Sequence, residues 1–189
     1  MVSIVALSLV ALGGLCTRLP ERQWERGEFR PIGGKPYKLP DGLEVRYIIG
    51  AMDEIPTSFS PLEMSVLNNT QSRVPVRMPE GLVFSPSDPD YQYMMILQEF
   101  SFNVPADQET TVFLPTYGCN ENLDEPDEDS YYEIDIQVWE RELCELFELL
   151  RGKKLDYEDA VDLAQEALYE ITDGNGLTDS TRQRLKELP

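Results

Sequence analysis

Histidine is absent from this 189-residue sequence, cysteine occurs three times, and 16 basic side chains face 35 acidic ones. Without histidine there is no imidazole for general acid–base chemistry, for activating a nucleophile or for ligating a metal. Cys16, Cys119 and Cys144 are too few for a disulfide-scaffolded miniprotein or a four-cysteine zinc site. A formal net charge of −19 argues against nucleic acid and anionic membrane surfaces as partners, because both require clustered lysine and arginine. A phosphate-cradling glycine loop, a nucleophile elbow and a dinucleotide fingerprint are also missing. These absences point away from hydrolytic, redox and transferase enzymes, and no cofactor or metal is implied.

What is present fits a folded domain: 41% of residues are hydrophobic and 27% charged, in a chain long enough to enclose a core. Residues 1–16 carry no charge and are mostly apolar. The run is shorter than the roughly 20 residues that span a bilayer, and its length fits the apolar region of a secretory leader. Ala11 and Gly13 supply a small–x–small cleavage pattern. The segment also resembles a bacterial lipoprotein signal, which makes Cys16 a lipid-attachment candidate, although Leu15 stands where a small residue is expected. Either reading places the protein outside the cytoplasm, at the cell envelope or beyond it, touching the membrane only through the leader or a lipid.

Residues 17–42 read as a linker. Pro20, Pro31, Gly33, Gly34, Pro36 and Pro40 break any long helix or central strand, and Arg18, Arg22, Arg26, Arg30, Lys35 and Lys38 give the stretch a basic balance. Residues 43–119 carry β signals. Leu43–Ile49 starts with alternation, Glu63–Leu67 alternates, and Asn68–Ser72 offers a hairpin turn before Val74–Met78. Pro75 suits an edge strand. Leu82–Phe84, the run from Tyr91 ending in the alternation Phe100–Val104, and Thr110–Tyr117 complete the set. Short strands without intervening helices predict an antiparallel, immunoglobulin-like β-sandwich.

Residues 120–135 contain eight acids and no base, and read as a solvated loop. Calcium would need alternating ligand spacing and a fixed glycine, and neither is present. From 136 to 189 the period becomes helical. Val138, Trp139, Leu143, Leu146, Phe147 and Leu150 form one stripe, stopped at Gly152, with Lys153 and Lys154 suited to its carboxyl end. A second stripe is Ala160, Val161, Ala164, Leu168 and Ile171, and Thr178 or Asp179 caps a short third helix. The expected fold is a β-rich α+β protein, with the sandwich followed by a small helical subdomain of two or three helices.

Cys119–Cys144 is a disulfide candidate for an exported protein. A different pairing comes from Ala164-Gln165-Glu166-Ala167-Leu168-Tyr169, followed by Thr172-Asp173-Gly174, together with a strand-end Tyr117-Gly118-Cys119. This constellation resembles bacterial secreted thioester domains, in which a strand-end cysteine bonds covalently to a helix glutamine. The resemblance covers about the last 80 residues and makes Cys119 the thiol and Gln165 the acyl partner. Gly118 separates the tyrosine from the cysteine, and Tyr169 replaces a tryptophan usual in that family.

The function expected is an exported, envelope-associated, non-catalytic binding or structural module for a protein or glycan ligand at the cell surface. A thioester adhesin acting through Cys119 and Gln165 is the alternative. A glycan-active enzyme drawing on the many carboxylates, with Trp24, Trp139 and the tyrosines as stacking surfaces, is a second.

Overall fold

The computed structural model describes residues 20–51 and 55–189, so Cys16 and the leader lie outside the described residues. The protein is β-rich, with antiparallel sheets and three carboxyl-terminal helices. Strands β1 (Lys35–Pro36), β2 (Leu43–Gly50), β3 (Leu62–Asn68), β4 (Val74–Met78), β5 (Leu82–Pro86), β6 (Met94–Ile96), β7 (Phe100–Val104), β8 (Glu109–Leu114), β9 (Thr116–Gly118) and β10 (Tyr132–Gln137) make three sheets. Their orders are β1-β10-β5-β6-β9, β2-β3-β8 and β4-β7. The turn after Asn68 does not close a hairpin. β3 pairs with β2 and β8, while β4 pairs with β7, so the chain changes sheets there. Pro75 sits in β4, which among the described strands pairs with β7 alone.

The inner strands β5 and β6 of the five-stranded sheet are buried on both faces. Leu82 and Phe84 of β5 and Met94 and Ile96 of β6 join Leu62, Met64 and Val66 of β3 in one apolar cluster. Val83, Met95, Leu97 and Tyr117 point the other way, into a second cluster under the helices. This is why Leu82-Val83-Phe84 and Met94–Leu97 are continuously apolar: a strand covered on both sides has no solvent face to carry polar residues.

α1 (Arg141–Leu150), α2 (Glu158–Thr172) and α3 (Asp179–Glu187) form the layer over that second face. Among the described residues, no helix is long and apolar enough to cross a membrane. α1 buries Leu143, Leu146, Phe147 and Leu150, α2 buries Ala160, Val161, Ala164, Leu168 and Ile171, and Thr178 caps α3 by accepting from the Thr181 N–H. Gly152 takes a left-handed conformation just beyond α1.

Several expectations are corrected. The helical period does not begin at residue 136: β10 runs to Gln137, α1 starts at Arg141, and Trp139 is 42% exposed in the corner between them. The same strand takes Tyr132–Asp135 out of the expected acidic loop. Lys153 does not serve the end of α1, because its ammonium donates to the Lys186 and Leu188 carbonyls at the end of α3. Residues 20–42 are not a free tether either. Trp24 and Phe29 are buried edge-to-face in the helix–sheet core, Lys35 and Pro36 pair with β10, and Arg22 binds Glu142 at 2.8 Å and the Gly174 carbonyl at 3.0 Å. Proline and glycine keep this stretch irregular, but two aromatic side chains are enough to hold it down.

Candidate functional site

The sequence candidates converge on the open edge of β9. Among the described strands it pairs with β6 alone, with Met94 opposite Gly118 and Met95 opposite Tyr117. The Cys119 N–H continues the pairing by donating to the Tyr93 carbonyl at 2.8 Å. Backbone groups alternate sides along a strand, so the Gly118 N–H and C=O face outward from the sheet, where a buried edge needs partners. Gln165 supplies both. Its Oε1 accepts from the Gly118 N–H at 2.9 Å and its Nε2 donates to the Gly118 carbonyl at 2.8 Å. The helical period brings it there, because Gln165 lies one turn beyond Val161 and one position past Ala164, at the margin of the stripe that docks on the sheet. Its side chain is almost completely buried.

Sequence reasoning missed Gln92 and the parts that Gly118 and Tyr169 play beside it. A Cβ on Gly118 would lie 1.8 Å from Gln92 Oε1 and 3.0 Å from Tyr169 Oη, so any larger residue there must displace the Gln92 amide. Gln92 is itself held: its Oε1 accepts from Tyr169 Oη at 3.0 Å, its Nε2 donates to the Leu123 carbonyl at 3.1 Å, and its own carbonyl accepts from Tyr132 Oη. The one glutamine in the otherwise apolar stretch Tyr91–Leu97 was the available signal. Burial pushes the Tyr169 hydroxyl up to about 12, so it stays a donor at neutral pH.

Cys119 is fully buried in the helix–sheet cluster, its Sγ 4.0 Å from the Tyr117 carbonyl. Burial, and secondly the negative charge of Asp173, push its thiol well above the ordinary range. The thiol is free, so the expected Cys119–Cys144 disulfide is not formed. Cys144 is buried on α1 outside the cluster that encloses Cys119.

The acidic loop is organised by its own acceptors. Asp127 takes the Tyr91 hydroxyl at 2.9 Å and the Asp129 N–H at 3.0 Å, and Glu125 takes the Ser60 hydroxyl at 3.0 Å. Among the described residues, no three His, Cys, Asp or Glu side chains are gathered as a metal site. Of the two tryptophans offered as stacking surfaces, Trp24 is core and Trp139 is open to solvent.

Chemically, Gln165 and the residue preceding Cys119 are in contact, but the amide is hydrogen-bonded through both its oxygen and its nitrogen and burial favours the protonated thiol. Nucleophilic attack requires a thiolate. As folded, the pair closes a sheet edge. No family model, curated protein or solved structure matches this chain.

Proposed function

We propose that this chain is an exported, cell-envelope-associated, non-catalytic module that binds a protein or glycan ligand at the cell surface. In this reading its β-layers form an immunoglobulin-like sandwich, and the helices buttress one sheet of it. The observation that carries the non-catalytic part is the double hydrogen bond between the Gln165 amide and the Gly118 peptide, beside a buried, protonated Cys119. The side chains best suited to covalent chemistry are occupied in holding the fold. The uncharged leader supports export.

Two measurements test this reading. Cell fractionation is expected to place the protein at the envelope or in the medium, and full-length, unmodified protein confined to the cytosol would overturn it. Intact mass is expected to match the sequence of the processed chain at Cys119 and Gln165, with no methylamine uptake at Gln165.

A second reading is favoured by one observation: the fold brings Gln165 to the residue next to Cys119. A thioester adhesin would form when Cys119 Sγ attacks Gln165 Cδ, the C–N bond breaks, and the thiol proton leaves with the nitrogen as ammonia. That lowers the mass by about 17 Da. A deficit of this size that vanishes in Cys119→Ala would make this reading primary.

A further inference from the structure

One helical turn before Gln165, the surface opens into a cavity of about 430 Å³ between the segment Ile55–Pro61 and the first turns of α2. Its apolar walls come from Ile55, Pro56, Phe59 and Val161. Phe59 and Tyr157 each leave 37% of their surface exposed there, although the interior beside them is well packed. Glu158 and Asp162 form the rim. Four residues apart on a helix, they stand on the same face, where like charges repel. Among the described residues no base lines the cavity, and their ion pairs all use other carboxylates. The cavity therefore combines exposed aromatic rings, an apolar floor and two uncompensated negative charges on a strongly acidic protein.

We infer that this cavity receives a cationic side chain from a basic protein segment, its aliphatic stem on Phe59 and Tyr157 and its charged head between Glu158 and Asp162. A lysine is amphipathic along its length, and the site is amphipathic in the same order. Ring faces attract the cation in addition to the carboxylates. A basic segment also meets the favourable long-range field of a chain with net charge −19. This inference rests on the binding-module reading and names the chemistry of the partner.

The test is fluorescence anisotropy of a labelled tetralysine peptide with the full chain at low salt, beside the same peptide with every lysine acetylated. Acetylation keeps the stem and removes the charge, and should weaken binding by roughly tenfold or more. Phe59→Ala leaves the net charge unchanged and should weaken tetralysine binding about fivefold, the equivalent of about 1 kcal/mol. Glu158→Gln with Asp162→Asn should weaken it about tenfold, while Glu128→Gln with Asp129→Asn, removing the same charge from the acidic loop, should change it less than about twofold. Tyr157→Ser serves as the charge-neutral variant if Phe59→Ala does not fold. No binding of tetralysine, full affinity in the charge-neutral variant, or equal losses from rim and loop acids would each overturn the inference. Fractionation reads the envelope module independently, so failure of the cavity and failure of that reading are told apart.

Discussion

Gln165 in α2 treats the Gly118 peptide as a neighbouring strand would, accepting at 2.9 Å and donating at 2.8 Å from a single side-chain amide. The two residues are far apart in sequence, and together they close an edge that would otherwise be buried with an unpaired donor and acceptor. Gln165→Ala should cost about 3 kcal/mol, because each orphaned buried backbone group forfeits about 1–3 kcal/mol. Gln165→Glu should cost at least as much at neutral pH, since it sets a second oxygen against the Gly118 carbonyl. Urea denaturation of both variants measures this. A loss below about 1 kcal/mol in Gln165→Ala would mean that water replaces the amide at no cost.

Gly118 is coupled to Gln92 by space. Gly118→Ala forces its Cβ into Gln92 Oε1, which lies 1.8 Å from the position that atom would take. The expected penalty is about 2–3 kcal/mol, typical of overpacking in a rigid core. In a Gln92→Ala background the nearest obstacle is gone and the next is Tyr169 Oη, at 3.0 Å. The Gly118→Ala penalty should then fall by about 1 kcal/mol or more in a double-mutant cycle. Additive losses would sink the argument.

Glu140 predicts the pH response. It precedes α1 with 3% of its surface exposed, its carboxylate buried beside the Gln23 backbone. Burial pushes its pKa up to about 7. The Arg22 guanidinium and the Gln23 backbone oppose that shift, and Glu142 reinforces it. A raised carboxyl pKa means that the folded state holds the proton more tightly than the unfolded chain. The group's penalty is therefore absent below the ordinary value of 4.5 and grows as pH rises toward about 7. Glu140→Gln should match the native protein at pH ~4 and exceed its stability by about 2–3 kcal/mol at pH ~8. A stability difference that does not change with pH would contradict the assignment.

The sequence was readable where one face of an element meets water. Phe100–Val104 alternates because β7 is half-covered, and the α1 and α2 stripes were visible for the same reason. The central strands Leu82–Phe84 and Met94–Ile96 lost that signal by being buried twice, so their place between two cores could not be inferred. Val138 and Trp139 extended the α1 stripe by coincidence of spacing, although a strand ends just before them. At the site, Cys119 and Gln165 were visible as a motif. Gln92, and the roles of Gly118 and Tyr169 within that motif, were not, because they arise from contacts between distant parts of the chain.

Phe29 distinguishes a packed amino-terminal segment from a tether. It is 1% exposed and touches Trp24 with ring centroids 4.6 Å apart. Phe29→Ala should cost about 3–4 kcal/mol by leaving a cavity among well-packed neighbours. A tether would lose nothing, and an unchanged urea midpoint would restore that view.

Cys119 provides the last test, because its chemistry is set by its surroundings. Fully buried and pushed well above the ordinary thiol range, it offers almost no thiolate in the folded protein at neutral pH. Alkylation by iodoacetamide, followed at Cys119 by peptide mass spectrometry, should track the rate of opening and become fast only in denaturant. The linkage has a definite sign. The folded state keeps the thiol proton, so raising pH above the unfolded thiol's value of about 8.5 draws the chain toward the ionisable unfolded form. Cys119→Ala should remove this contribution and flatten the alkaline loss of stability relative to the native protein. Rapid alkylation of the native protein at neutral pH would mean that the thiol is open and ionised. The non-covalent role assigned to the Gln165–Gly118 pair would then fail with it.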